Sequence, residues 1–477
     1  MINMDNTQRF IEAFDQNRAD VFSVLKDYEA PLARTDAVRN ILVDTSLTFW
    51  LTGHYAAVVA LANQLKEFGY NPVLCLPKKP PASHCPANIP VVVNPPIGTT
   101  IEGFRTRIST FKSICQMYDI DTVILNSWQG AYKYWDMLML QNLFPEDPSK
   151  RIRVLVHFHS SFAKSQFDPN SNWLKNNTLA IRHFDGLIAI SEVDASFWRL
   201  FHPRVYCRPL PVEYGIQPYT ERAPLDNTII YVARFSETKN QLAAIRAFKL
   251  VVDQISTARL ILAGNDAANY RQGCLECINE LGLEDNITIL DFVSGEEKAE
   301  LFRTATVAIN TSLFEGFSQY LLEAKAYGIP LVVFDLPNQT TLDGGEHNGA
   351  IIVAQGDEKE FAAQVIRVLQ DKSLQENLGM AAQAQAERII NFNYKSFWEE
   401  AFADLRSPAP FLAQNINQRD VYTSLFDALY YARGNIRFDD AILSEDSARI
   451  KKAKKVFRKL PEPLKNVYRI LRDSLGK

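Results

Sequence analysis

No run of apolar residues in the sequence approaches the ~20 needed to cross a membrane as a helix. The N-terminus, MINMDNTQRF, lacks a basic region followed by an apolar one, so no secretory signal is expected there. Six cysteines in 477 residues are too few for a disulfide framework. Cys274 and Cys277 form a lone CxxC in a helical stretch, with no second pair and no histidine at zinc spacing, and read as reduced thiols. A formal charge of −4 argues against wholesale nucleic-acid binding. What is present is ordinary for a globular protein: 47% hydrophobic and 22% charged residues. The length suggests about three folding units. A soluble, cytoplasmic protein is the expectation.

Residues 1–40 are polar with helical periodicity, placing Phe10, Phe14, Phe22 and Leu25 at mostly helical intervals until Pro31. From residue 41 short apolar runs alternate with longer amphipathic stretches. Strands are predicted at Ile41–Asp44, Asn71–Leu76, Val91–Val93, Thr122–Leu125, Arg153–Phe158 and Gly186–Ile190, with a helix over Tyr55–Phe68. Pro203–Asn227 carries five prolines and reads as a hinge. The alternation then restarts, with strands at Thr228–Val232, Ala258–Ala263, Asn286–Leu290, Val307–Asn310 and Pro330–Phe334. Helices are predicted over Asn240–Gln254, Glu296–Thr304 and Gln319–Tyr327, and one long helical region over Lys359–Ile390. Continuous apolar strands alternating with helices predict parallel sheets covered on both faces. Two such doubly wound domains, 41–213 and 214–405, would face each other across a cleft at the carboxyl ends of their strands. A helical extension (1–40) and a helical basic tail (406–477) complete the expected organisation.

The stretch Asn310–Pro330, NTSLFEGFSQYLLEAKAYGIP, carries the most chemistry. A strand runs into a loop holding Glu315, and a helix carrying Glu323 follows. The start of such a helix offers free N–H groups and a positive dipole end. On their own, Glu315 could be an acid favoured by that dipole and Glu323 a surface residue. Asp119-Ile120-Asp121 precedes a strand instead of following one and reads as a turn, not a metal site.

The neighbouring residues narrow the reading. Glu315 to Glu323, within EGF and LLEAKAYGIPLV, resembles the E-x7-E motif of glycosyltransferase family 4, retaining enzymes of the GT-B fold. Ile230–Gln241 (IYVARFSETKNQ) resembles that family's strand–Arg–Lys element. Ala258–Gly264 and Ile287–Phe302 resemble the units that follow it, in the same order. The resemblance implies that Arg234 and Lys239 neutralise a donor diphosphate, and that Glu315 binds hydroxyls of the transferred sugar. It further implies that Gly316, Phe317 and Ser318 help through their backbone at sugar and phosphate, and that Glu323 accepts ribose hydroxyls. The backbone around Phe292 would face the base; Asp291 stands where the family commonly has glycine. In the first half, Gly53 within Thr52-Gly53-His54 takes the place of the family's glycine-rich loop, with a single glycine. His159, at the end of the strand leading through His157, matches the family's histidine beside the transferred sugar. Asn126 and Trp128, after another strand, could bind acceptor or simply pack.

The implied activity is retaining, front-face sugar transfer from a UDP- or GDP-sugar to a glycan or lipid-linked acceptor, in polysaccharide or cell-envelope biosynthesis. The donor is a substrate, and neither a metal nor a resident cofactor is expected. An epimerase or phosphorylase on the same fold fits the motif less well. A non-catalytic glycan-binding or accessory subunit of a transferase complex would be expected to lose Glu315, Lys239 or Arg234. Residues 449–477 hold eleven Lys or Arg against two acids, a net of +9, so the other residues carry −13. In Ala448–Leu460, Ala453, Val456, Phe457 and Leu460 share one helical face among seven basic residues. Such a helix could lie on an anionic membrane surface, or dock on the acidic remainder of the chain.

Overall fold

The computed structural model describes every residue except 1–5, 18–20, 33, 46–52, 83–84, 97–99, 127–131, 160–176, 179, 212–214, 218–225, 267–268, 314, 337–344 and 408–477. The chain builds two parallel sheets. The first contains β1 (Asn40–Asp44), β2 (Asn71–Leu76), β3 (Val91–Val93), β4 (Thr122–Leu125), β5 (Arg153–His157), β6 (Gly186–Ala189) and β7 (Val205–Cys207), in the order β3-β2-β1-β4-β5-β6-β7. The second contains β8 (Thr228–Val232), β9 (Arg259–Ala263), β10 (Ile287–Leu290), β11 (Val307–Asn310), β12 (Leu331–Phe334) and β13 (Ala350–Val353), in the order β10-β9-β8-β11-β12-β13. In both sheets the order reverses beside the first strand, which is where a crevice opens at the carboxyl ends.

Alternation along the strands of the first sheet explains its two covered faces. Leu42, Val73, Val123, Val154 and Leu187 enter one core, while Ile41, Val43, Leu74, Ile124 and Leu155 enter the other. The N-terminal helix Asn6–Asn17 docks on the first of these through Phe10 and Phe14, with the Phe14 ring stacked 4.2 Å from that of Phe104. The residues expected to form a separate extension are therefore part of this domain's packing. Beneath the end of β1, Arg107 is buried between Asp136 (Nε–Oδ1 2.6 Å) and Asp44 (Nη2–Oδ2 3.2 Å). That network ties β1 to two helices.

Three expectations are corrected. The proline-rich stretch 203–227 is not hinge throughout, because Val205–Cys207 pairs with β6 as an edge strand; three residues are too short to show a periodicity. The long helical region 359–390 is two helices, Glu358–Gln370 and Lys372–Ile390, broken at Asp371 in extended backbone, whose carboxylate caps the second by accepting from Leu374 N. Helix Tyr394–Asp404, expected to close the second domain, returns to the first, where Trp398, Phe402 and Leu405 complete the core holding Ile41 and Leu74. Arg204 and Tyr206 bind its end, Tyr206 OH donating to Asp404 Oδ2 at 2.7 Å. The basic segment 449–477 lies outside the described residues. Among the described residues no helix is long and apolar enough to cross a membrane.

Candidate functional site

The second domain's site forms where β8 and β11 end side by side. β8 leads through Ala233 and Arg234 into a turn that starts the helix Gln241–Val252, and Asn240 enters it in left-handed backbone (φ 52°). Gly264, at the end of β9, has φ 153°, and a Cβ there would lie 2.1 Å from Ala233 O. Only glycine lets the two strand ends close on each other beside Arg234. Arg234 is exposed, and its carbonyl accepts from Gln241 Nε2 at 3.0 Å.

β11 leads into the loop of Glu315, which is laced to the Lys239 turn. Leu313 N donates to Thr238 O at 2.8 Å, and Thr311 Oγ1 to Asn240 O at 2.9 Å. Between them Tyr231 OH donates to Lys239 O at 2.6 Å and lies 3.0 Å from Ser312 Oγ. Burial, with the charge of Glu315 adding, raises the Tyr231 pKa and keeps its hydroxyl neutral. Glu315 itself is 7% exposed. Its Oε1 receives Lys239 Nζ at 2.5 Å, Ser312 Oγ at 2.7 Å and Asn310 Nδ2 at 3.2 Å. Asn310, Ser312 and Tyr231 escaped the sequence reading because they look like ordinary strand and loop residues. Ser318 caps the helix Gln319–Ala326 by accepting from Leu321 N, so Phe317 and Ser318 stand at its N-terminal end. Glu323, one turn in, is buried and pairs with Lys298 Nζ at 2.6 Å, a partner the motif did not announce. Phe292 is 41% exposed beyond β10, and neighbouring Asp291 pairs with Arg271 at 2.6 Å.

The first domain contributes histidines at its strand ends. His157 and His159 both meet Asn126 Oδ1 at 2.9 Å, and the His159 ring lies 4.4 Å from that of His54. His54 Nε2 is 3.0 Å from Thr45 Oγ1, and Gly53 begins the helix that carries it. Burial pushes the His54 pKa down to about 4 and those of His157 and His159 well below the ordinary value; nearby Arg208 adds to the last two. His54 carries no signal in the sequence, where it is a lone histidine beside Gly53. Asn126 is completely buried with its amide committed, so the acceptor-binding alternative does not hold for it. Trp128 and Thr52 lie outside the described residues. Asp121 holds the start of β1, its Oδ2 accepting from Arg39 N and Asn40 N at 2.8 Å each, a structural role. Among the described residues no three of His, Cys, Asp and Glu are placed to share a metal ion.

The two halves meet. Ala57, one turn beyond His54, shares a small apolar cluster with Ile190, Leu210 and Phe317, and Gln319 Nε2 donates to Pro211 O at 2.7 Å.

The relatives point the same way as this arrangement. The chain is similar to poly(glycerol-phosphate) alpha-glucosyltransferase of Bacillus subtilis, at 28% identity over 39% of this chain and 28% of that protein. It is similar to the capsular polysaccharide biosynthesis glycosyltransferase CapM of Staphylococcus aureus at 25% identity, over 37% of this chain and 45% of that one. The matched region thus spans less than half the length of these relatives. In structure, HepE of Anabaena in complex with UDP-glucose superposes with a TM-score of 0.60 over 76% of this chain and 98% of that one, at 16% identity. The sucrose-phosphate synthase of Thermosynechococcus elongatus gives 0.58 over 82% and 100%, at 16% identity. The fold is GT-B, and residues 219–385 match the model of the family described as glycosyl transferases group 1.

Proposed function

We propose that the protein is a retaining glycosyltransferase, moving a sugar from a UDP- or GDP-sugar to a glycan or lipid-linked acceptor in polysaccharide or cell-envelope biosynthesis. The observation that carries this reading is the ion pair of Lys239 Nζ with the buried carboxylate of Glu315, 2.5 Å, which joins the ends of β8 and β11, with Arg234 exposed in the turn that leads to Lys239. In transfer the bond from the anomeric carbon to the diphosphate oxygen breaks and the acceptor oxygen bonds the same face. The acceptor proton passes to the departing phosphate oxygen. Arg234 and Lys239 stabilise the charge that develops on the diphosphate, and Glu315 orients sugar hydroxyls. Glu323 receives the ribose hydroxyls, and the backbone of Gly316, Phe317 and Ser318 serves the sugar and phosphates. His159, with Gly53 and His54 across the cleft, faces the sugar.

Saturation-transfer NMR with UDP-, GDP- and ADP-sugars, followed by nucleotide-release assays on any that bind, tests the reading. Selective binding of one donor, lost in Glu323→Ala, with turnover lost in Glu315→Ala, supports it. Binding without turnover would support an accessory subunit instead. No binding of any nucleotide sugar would end it.

The basic segment 449–477 is assigned, on its charge pattern, to an anionic membrane surface that presents a lipid-linked acceptor. Flotation with anionic liposomes, with and without these residues, checks the assignment; equal flotation would refute it.

A further inference from the structure

Asn126 follows β4 at the carboxyl edge of the first sheet, and its surroundings alone orient its amide. Nδ2 donates to Ile124 O at 3.1 Å and to Asp44 O at 3.3 Å. Carbonyl oxygens only accept, so a flipped amide would set oxygen against oxygen twice. Oδ1 therefore faces the histidines, at 2.9 Å from both His157 Nδ1 and His159 Nε2. An amide oxygen donates nothing, so both of those nitrogens carry hydrogen.

Burial of the two rings, with Arg208 nearby, opposes a second proton on either. The remaining nitrogens, His157 Nε2 and His159 Nδ1, are then bare acceptors. Each is buried without a hydrogen-bond partner among the described residues. Buried polar atoms are nearly always bonded, so open acceptors on two rings whose centroids lie 4.2 Å apart are an exception that needs a donor. His157 is wholly enclosed within β5, whereas His159 lies beyond the strand end and is part-exposed. His54, held at Thr45 Oγ1, packs edge-on against the His159 ring and limits its rotation.

We propose that Asn126 is a positioning residue: by accepting from both rings it fixes their tautomers and makes His159, through Nδ1, a hydrogen-bond acceptor for a hydroxyl of the transferred sugar. The ligand in this proposal rests on the transfer reading above; the tautomers do not. A donor side chain at position 126 would reverse the ring, presenting an N–H to the sugar and mismatching a donating hydroxyl.

The full chain labelled with 15N-histidine provides the test, because long-range 1H–15N spectra distinguish the two neutral tautomers of each ring. With seven histidines, single His→Gln variants assign the signals. The expected spectrum has His159 protonated on Nε2 and His157 on Nδ1. His159 protonated on Nδ1, or doubly protonated at neutral pH, would overturn the proposal. This measurement needs no substitution at Asn126, whose loss also removes two bonds to backbone carbonyls. Asn126→Leu then reads the consequence, with UDP and UDP-glucose titrated in parallel. UDP affinity should be unchanged and UDP-glucose affinity roughly tenfold weaker, the size expected for one lost buried hydrogen bond. Equal loss for both ligands, or loss for neither, would refute the positioning role. If the wild-type chain bound no nucleotide sugar, the transfer reading would fail, and the spectrum would still decide the tautomers.

Discussion

Lys239 Nζ and Glu315 Oε1 lie 2.5 Å apart, joining the loop after β8 to the loop after β11 through a pair in which the carboxylate is buried and the ammonium is not. Ser312 and Asn310 donate to the same oxygen. The carboxylate is thus held by three donors before any ligand arrives, which is what preorganisation requires: no reorganisation is left for the moment of reaction. In the proposed transfer the two partners serve groups of opposite character, Lys239 an anion and Glu315 hydroxyls.

Glu315→Gln keeps the shape of the side chain and removes its charge. Turnover of a bound donor is expected to fall by about 10²–10³, the cost of removing one preorganised electrostatic contact. The melting temperature should stay within a few degrees, because the substitution removes a buried charge rather than stranding one. A nucleotide-release assay beside a thermal melt checks both. Full activity would displace Glu315 from the site.

Lys298 and Glu323 are a different kind of pair, with the carboxylate 3% exposed and the ammonium 13% exposed. Removing one partner leaves a buried charge, so Lys298→Met is expected to destabilise the chain by about 3 kcal/mol. The double variant Lys298→Met/Glu323→Gln removes the charge with its partner and should cost less than Lys298→Met alone. Urea denaturation of wild type, single variants and double variant forms the cycle that measures this. Additive losses would show that the two side chains are not coupled.

Much of this architecture was legible in the residues. The continuous apolar runs located eleven of the strands to within a residue or so, because a strand covered on both faces has no polar side to obscure it. β7 and β13 escaped for opposite reasons. Val205–Cys207 has three residues set among prolines, and Ala350–Val353 follows a polar stretch with no helical pattern to frame it. The return of Tyr394–Asp404 to the first domain could not be read, since its apolar face fits either core equally well until the chain path is known. Glu315 and Glu323 were marked by the resemblance of their segment to the E-x7-E motif. Their partners were not: Asn310 and Ser312, three to five residues before Glu315, look like ordinary strand and loop residues, and Lys298 reaches Glu323 from another helix, a pairing that leaves no periodicity. The same holds for Asn126: a residue after a strand suggests a ligand contact, and only the burial of its amide shows that it serves the histidines.

Trp398 is the anchor of the returning helix. It is completely buried, stacks on Phe402 with ring centroids 5.1 Å apart, and lies 5.4 Å beneath the Arg208 guanidinium, which Tyr394 also approaches at 5.3 Å. Trp398→Ala should cost about 4 kcal/mol through lost burial and the cavity left behind. Because Nε and Nη2 of Arg208 lack hydrogen-bond partners among the described residues and its Nη1 donates to Gln64 Oε1 at 3.2 Å, loss of the ring also exposes a poorly satisfied guanidinium. Denaturant unfolding followed at both domains checks the effect; an unchanged midpoint would mean the helix contributes nothing to the first domain.

The buried histidines impose a sign on the pH dependence of stability. His54 has its pKa pushed to about 4 against an ordinary 6.5, and His157 and His159 are pushed well below the same value, in each case mainly by burial. Below pH 6.5 the unfolded chain takes up these protons and the folded chain does not. Unfolding therefore binds protons, and stability rises with pH through the interval from about 4 to 6.5. Above 6.5 the rings are neutral in both states and their contribution is flat. Stability should accordingly drop as pH falls below 6.5, and His54→Asn should make that drop shallower. Lys239, Asp44 and Arg107 remain in place in this variant, so the change in slope belongs to the imidazole. Urea midpoints from pH 4.5 to 8 measure it. An unchanged slope in His54→Asn would place its titration in the folded state near that of the unfolded chain, and with it would go the argument that this ring is kept neutral by its burial.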